Sequence, residues 1–228
     1  MSSCAIIAAA GRGRRMGGSI NKQFLELGTK PILARTLEKF NQCALIDGIV
    51  IVVPEDWLFH VAENIVDRFN FFKVNKIVAG GSTRQESVHA ALKAVDESFS
   101  FVVIHDAVRP LIQPELLIKI ITQGMETGAA ILAVPAQDSL KKVSNSKVVG
   151  TIDRESIWLA QTPQVFKREL VLQAYQQAWQ EHFFSTDDSA LVERLGYPIQ
   201  VVMGDYTNIK ITTPDDLELA KFLIQKSF

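Results

Sequence analysis

Between positions 11 and 22 lie four cations, Arg12, Arg14, Arg15 and Lys22, with no acid among them. They punctuate a run of small residues, Ala8-Ala9-Ala10-Gly11-Arg12-Gly13-Arg14-Arg15-Met16-Gly17-Gly18, that leaves a short apolar segment. Small residues let backbone N–H groups close on an anion, and the cations add charge. Such a loop suits a polyphosphate and the charge that grows as a phosphoryl bond breaks. Two common phosphate loops do not fit. The dinucleotide fingerprint G-x-G-x-x-G meets Met16 at its third glycine, and Gly13 to Gly18 lacks the closing G-K-[ST] of a P-loop.

A second small-residue stretch, Gly80-Gly81-Ser82-Thr83-Arg84-Gln85-Glu86-Ser87, precedes a helical pattern. A helix N-terminus favours anions and polar ligand edges; alternatively Ser82 or Thr83 is an ordinary N-cap. A third cluster is His105-Asp106-Ala107-Val108-Arg109-Pro110. Asp106 there is a candidate for Mg²⁺ or a ribose hydroxyl, with Arg109 holding it or reaching phosphate. The other reading is an Asp–Arg pair that orders the loop. No Ser-His-Asp or Cys-His arrangement stands out as a covalent centre.

These clusters need elements to carry them. Cys4 to Ala10, Gly48 to Val53, Val74 to Ala79, Phe101 to His105 and Ala129 to Val134 read as strands, apolar almost throughout, as strands covered on both faces are. Amphipathic stretches alternate with them, marked by Leu33, Leu37 and Phe40, by Val88, Leu92 and Val95, and by Leu116, Ile120 and Ile121. The alternation predicts a Rossmann-like α/β fold, a mainly parallel sheet with helices on both faces. Ligands in such sheets bind beyond the carboxyl ends of the strands, where all three clusters fall. From Ala136 to Ala160 the pattern becomes two short strands around Ser144-Asn145-Ser146, a hairpin. It either projects as a dimerisation arm or folds back on its own domain. Helices follow near Lys167 to Glu181 and Asp187 to Leu195, then a strand at Ile199 to Met203 and a last helix from Pro214, capped by Thr213. Residues 1–228 read as a single domain, with 136–160 as a β-arm subregion.

The chain has 228 residues, a net charge of −1 and 47% hydrophobic residues. The balance argues against a nucleic-acid binder that relies on a broad basic face. Cys4 and Cys43 have no metal-ligand spacing. No run approaches the ~20 apolar residues of a membrane span, and no signal-peptide pattern is visible. A cytoplasmic protein with small-molecule partners is expected, with neither nucleic acid nor membrane bound.

The loop Ala8-Ala9-Ala10-Gly11-x-Gly13-x-Arg15-Met16 with Lys22-Gln23-Phe24 resembles the signature of the sugar-phosphate nucleotidyltransferases. Gly80-Gly81-x-x-Arg84-x-x-Ser87, His105-Asp106-Ala107-x-Arg109-Pro110, Asp153-Arg154, Leu159-Ala160-Gln161-Thr162-Pro163-Gln164 and Asn208-Ile209-Lys210-Ile211-Thr212 narrow the likeness. From Cys4 to about Leu223 the chain is similar to the 2-C-methyl-D-erythritol 4-phosphate cytidylyltransferase family of non-mevalonate isoprenoid biosynthesis.

The resemblance implies transfer of CMP from CTP to the polyol phosphate, with Mg²⁺ or another divalent cation and with pyrophosphate leaving. Arg15 and Lys22 would be the catalytic cations. Ala9, Ala10, Gly11, Gly13, Gly81, Ser87, Asp106 and Arg109 would bind CTP, and Asp106 is also the tentative metal ligand. Arg154, Thr162, Thr186 and Lys210 would hold the phosphate of the second substrate, with Arg154 supplied by the partner subunit of a homodimer. From the residues alone, Thr186 also fits an N-cap and Lys210 a surface lysine. The family's loop begins with Pro where this chain has Ala8, Arg12 is an additional cation, and Thr207 stands where relatives carry an acid, with Asp205 nearby as a substitute. A cytidylyltransferase for another polyol phosphate, such as ribitol 5-phosphate, shares most of these motifs, and a non-catalytic nucleotide-binding protein is the rival from another class. A nicotinamide-dependent dehydrogenase fails at Met16 and at Val52-Val53-Pro54, where an acid should end the second strand.

Overall fold

Along β1 (Ser3–Ala8), Cys4 and Ile6 face one hydrophobic layer while Ala5 and Ile7 face another. A strand whose two faces are both apolar has to lie inside a sheet covered on both sides. The computed structural model, which describes residues 1–11 and 21–226, has this arrangement. After β1 come a 3₁₀ turn (Lys22–Phe24), a small hairpin of β2 (Glu26–Leu27) and β3 (Lys30–Pro31), and α1 (Ile32–Gln42). Then follow β4 (Gly48–Val53), a 3₁₀ turn (Glu55–Trp57), and α2 (Leu58–Val61), which continues into a π-helical turn (Ala62–Asp67). Next are β5 (Val74–Ala79), α3 (Arg84–Ala94), β6 (Phe101–Asp106), α4 (Pro114–Thr127) and β7 (Ala129–Pro135). The chain ends with β8 (Leu140–Ser144), β9 (Lys147–Ile152), β10 (Trp158–Lys167), α5 (Arg168–Gln180), α6 (Ser189–Glu193), β11 (Gln200–Met203) and α7 (Pro214–Lys226).

Seven strands form the main sheet in the order β11-β7-β10-β6-β1-β4-β5. Every pairing is parallel except those of β10, which runs antiparallel to both β6 and β7. Leu33, Leu37 and Phe40 of α1 and Leu117, Ile120 and Ile121 of α4 pack on one face. Val88 and Leu92 of α3 and Val171 and Tyr175 of α5 pack on the other. The sequence signals that end the helices are used. Gly128 closes α4 at φ 87°, where a Cβ would strike the Tyr197 hydroxyl. Thr213 and Asp216 cap α7 reciprocally, each side chain accepting the other's backbone N–H.

Two parts of the sequence reading change. The hairpin comprises β8 and β9 alone, a separate two-stranded sheet; Trp158 to Ala160, assigned to the arm, lie in β10 paired with Val134 and its neighbours. β10 itself was missed because Gln161-Thr162-Pro163-Gln164 reads as a break. Proline cannot donate to a ladder, and Pro163 is accommodated where the register shifts between Gln161 and Gln164. The second change is at α6, which begins at Ser189, after Asp187 and Asp188 rather than with them. Among the described residues no helix is long and apolar enough to cross a membrane.

Candidate active site

The carboxyl ends of β1, β4, β5 and β6 open onto one cleft of about 1020 Å³. Its floor and walls are Ala8 to Gly11 after β1, Lys22 and Gln23 on the first 3₁₀ turn, Pro54 to Trp57 after β4, and Gly80 to Arg84 with Ser87 at the start of α3. Asp106 and Val108 at the end of β6, and Lys210, complete it.

The small residues are there for contact distance. A Cβ on Gly80 would collide with the Ala10 methyl and the Ser87 hydroxyl, so the exits of β1 and β5 come together only over a glycine. Ser87 then fixes the turn: its Oγ accepts from the Gly81 N–H (3.1 Å) and donates to the Thr83 carbonyl (2.8 Å). Thr83 is the N-cap of α3 in a capping box with Glu86, whose carboxylate also takes the Ser82 N–H and hydroxyl at 2.7 and 2.6 Å. Across the cleft, buried Gln23 donates to the Ala9 carbonyl at 2.6 Å. The Phe24 ring lies flat on Trp57, centroids 4.1 Å apart.

Asp106 is the electrostatic centre. Its Oδ1 accepts from Arg84 Nε at 3.1 Å, and its Oδ2 pairs with Lys210 Nζ at 2.7 Å. Arg109 Nε stands 3.9 Å away, beyond hydrogen-bond reach. Burial alone would raise the carboxyl pKa, but Arg84 and Lys210, with a smaller effect from Arg109, override it and hold Asp106 well below the usual carboxylate range. Arg84 is shared. Its terminal nitrogens grip both oxygens of buried Asp188 at 2.8 and 2.7 Å, and the Tyr175 hydroxyl donates to the same carboxylate at 2.5 Å. Burial opposes the Arg84 charge, yet Asp188 and Asp106 more than compensate and raise its pKa.

Behind the cleft a second chain of bonds sets the Asp106 backbone. Its N–H donates to Thr162 Oγ1 (3.0 Å), and that hydroxyl meets His105 Nδ1 at 3.1 Å. His105 Nε2 lies 3.0 Å from the Arg109 carbonyl. Burial pulls the His105 pKa down to about 4, so the ring is neutral at pH 7. A neutral ring that donates from Nε2 accepts the Thr162 hydroxyl at Nδ1, and every partner is satisfied.

Of the residues expected at the site, Ala9, Ala10, Gly11, Lys22, Gly81, Ser87, Asp106 and Lys210 line this cleft. Gly13 and Arg15 lie outside the described residues. Four others are elsewhere. Arg109 donates to the Asn208 carbonyl at 2.7 Å and is not among the residues lining the cleft. Thr162 is 5% exposed with its hydroxyl engaged by Asp106 and His105, so its evident work is to position Asp106. Thr186 is exposed on the loop before α6, and Arg154 is exposed beside the hairpin, donating to the Gln137 carbonyl of its own chain. Asp205 does not take over the acid missing at Thr207: its Oδ1 accepts the Thr207 N–H and hydroxyl at 2.7 and 2.8 Å, and it does not line the cleft. The metal assignment to Asp106 also meets a difficulty, since both of its oxygens face cations, and the described residues contain no group of three or more potential metal-binding His, Cys, Asp or Glu side chains. The donor set does not fit a resident divalent ion.

Sequence reasoning overlooked Arg84 as a bridge, Asp188 and Tyr175 as its anchors, and Trp57 in the wall. No local signal marked the first, because its partner Asp188 lies 104 residues away in a polar stretch.

Comparison with known proteins agrees with this geometry. The family model for 2-C-methyl-D-erythritol 4-phosphate cytidylyltransferase matches residues 3–226. Enzymes of that name from Geobacter metallireducens and Syntrophus aciditrophicus are 46% and 48% identical, over 99% and 97% of this chain and 99% and 95% of theirs. The crystal structure of 4-diphosphocytidyl-2C-methyl-D-erythritol synthase from Anaerococcus prevotii superposes with a TM-score of 0.86 at 32% identity, covering 98% of this chain and 96% of that one. The 2-C-methyl-D-erythritol 4-phosphate cytidylyltransferase of Thermus thermophilus superposes with a TM-score of 0.82 at 30% identity, covering 99% and 100%. Matches at this identity over nearly the whole chain leave one conclusion: the chain belongs to the 2-C-methyl-D-erythritol 4-phosphate cytidylyltransferase family.

Proposed function

We propose that this cleft carries out the family's reaction, transfer of CMP from CTP to 2-C-methyl-D-erythritol 4-phosphate with loss of pyrophosphate, by binding and charge alone. A phosphate oxygen of the polyol phosphate attacks the α-phosphorus of CTP. The new O–P bond forms as the bond to the β-phosphate oxygen breaks, and the electron pair leaves with pyrophosphate. The attacking dianion needs no protein base, and no protein nucleophile intervenes. Lys22, together with Arg15, supplies positive charge where the transition state gathers negative charge.

The supporting observation is that Lys22, the small-residue wall and the Asp106–Lys210 pair share one cleft. Ala9, Ala10, Gly11, Gly81 and Ser87 line the part of the cleft that would take the cytosine, where close backbone walls would favour a pyrimidine over a purine. Asp106 holds Lys210 at the cleft in a 2.7 Å ion pair, within reach of the second substrate's phosphate, and its remaining lone pairs accept a ribose hydroxyl. The divalent cation comes in on the triphosphate, in keeping with a carboxylate whose two oxygens each already face a cation.

The active unit is a homodimer in this reading. The β8–β9 arm carries Val143, Val148 and Val149, all more than half exposed, on a two-stranded sheet that needs a partner surface. Its flank would bring Arg154 to the partner's cleft, beside Thr186 and Lys210. Two free, buried cysteines suit the reducing cytoplasm. Pyrophosphate release from CTP and Mg²⁺, with methylerythritol phosphate and ribitol 5-phosphate in separate reactions, tests the assignment. Faster turnover of ribitol phosphate refutes the substrate.

A further inference from the structure

Lys22 sits at the start of a three-residue 3₁₀ turn that has no side-chain cap. A turn that short has little rigidity of its own. The two residues that follow anchor it to the rest of the cleft: Gln23 is tied to the Ala9 carbonyl, and Phe24 is stacked on Trp57 at 4.1 Å and 9°. Trp57 belongs to a different segment, the turn after β4, and His60 closes the group edge-on, 4.9 Å from Trp57 and 5.8 Å from Phe24. Phe24 is 9% exposed, while Trp57 and His60 are half-buried, with Trp57 at the cleft wall.

We propose that the Phe24–Trp57–His60 cluster is the clamp that sets Lys22 in the cleft, and that Trp57 is a positioning residue for cytidylyl transfer. This rests on the catalytic reading of Lys22 given above. A flat aromatic ring on Phe24 fixes where the turn lies along the sheet, and with it the root of the Lys22 side chain. A flexible aliphatic residue fills the space without setting that direction. A misplacement of about 1 Å at a charge that acts in the transition state is enough to slow the chemistry. An aromatic pair has a strength that corresponds to about a 3- to 10-fold change in the population of the held turn.

The test is steady-state kinetics on the full chain with Trp57→Leu, Trp57→Phe, Lys22→Ala and the double variant Trp57→Leu/Lys22→Ala, alongside CTP binding by titration calorimetry. Thermal melts establish that each variant is folded. The expected result is a kcat about 3- to 10-fold lower in Trp57→Leu with CTP affinity nearly unchanged, and recovery in Trp57→Phe, which keeps a stacking ring. In the Lys22→Ala background Trp57→Leu should cost nothing further. A loss confined to KM for CTP overturns the proposal and makes Trp57 a binding wall. So does a loss that persists undiminished in the Lys22→Ala background, or normal turnover in Trp57→Leu. In those cases the slow turnover of Lys22→Ala leaves the catalytic reading standing, whereas normal turnover of Lys22→Ala removes both.

Discussion

His105 should make this protein acid-sensitive well above the pH at which carboxylates protonate. Its folded pKa is about 4, against an ordinary 6.5. The sign follows from proton binding: between these two values the unfolded chain binds a proton at this ring that the folded chain refuses. Stability therefore falls as pH drops through 6.5 and stops falling from this cause near pH 4. Full development of a shift of that size corresponds to ~3 kcal/mol, and about 2 kcal/mol of it is lost between pH 7.5 and 5.0. Other groups titrate in the same range, so the measurement is a difference. Urea unfolding of the wild type and of His105→Gln, which keeps an N–H for the Arg109 carbonyl, is compared at pH 7.5 and 5.0. The wild type should lose about 2 kcal/mol more than the variant. Proton–nitrogen NMR of the ring should report neutral imidazole with the proton on Nε2 down to about pH 5. A His105 resonance titrating near 6.5, or equal pH slopes in the two proteins, would refute the account of a buried ring locked between Thr162 and Arg109.

Lys22→Ala and Arg15→Ala should each lower kcat by about 10² or more, as loss of a transition-state charge contact does; near-normal turnover in initial-rate assays takes them out of the mechanism. Arg154→Ala should raise KM for the polyol phosphate while CTP affinity by calorimetry stays put; equal weakening of both contradicts its placement at the partner's cleft. Asp106→Asn leaves Arg84, Arg109 and Lys210 facing one another. It should cost about 3 kcal/mol in urea unfolding, the low end for a broken buried pair because Lys210 is 38% exposed. A change under about 0.5 kcal/mol would mean the cluster is not holding the loop.

Much of this was written in the local sequence. Strands covered on both faces announce themselves by near-continuous apolar runs, which is why β1, β4, β6 and β7 were legible; β5, at the sheet edge with Asn75 and Lys76 exposed, was legible from Val74 and Ile77-Val78-Ala79. The cleft residues contributed by β1, β5 and β6 followed from the rule that ligands collect at strand ends. What escaped depends on contacts between distant positions. β10 looks broken at Pro163 because propensity is local, whereas its pairing with β6 and β7 is not. Arg84 and Asp188 are 104 residues apart, and nothing near either one reveals the other. The ligand roles expected of Thr162 and Arg109 come from motifs, which mark residues without showing the contacts they make inside the chain. The structure turns Thr162 toward His105 and Arg109 toward Asn208.

The place of β10 also bears on how the chain is assembled. Its neighbours β6 and β7 are both complete by residue 135, yet the strand that joins them spans 158 to 167, beyond the β8–β9 excursion. During synthesis, then, two bare ladder edges wait for some thirty further residues. A fragment cut off anywhere ahead of β10 keeps β6, β1, β4 and β5 as one slab and leaves β7 without either of its neighbours, β10 and β11. Chaperone dependence of the nascent enzyme would be concentrated in that interval.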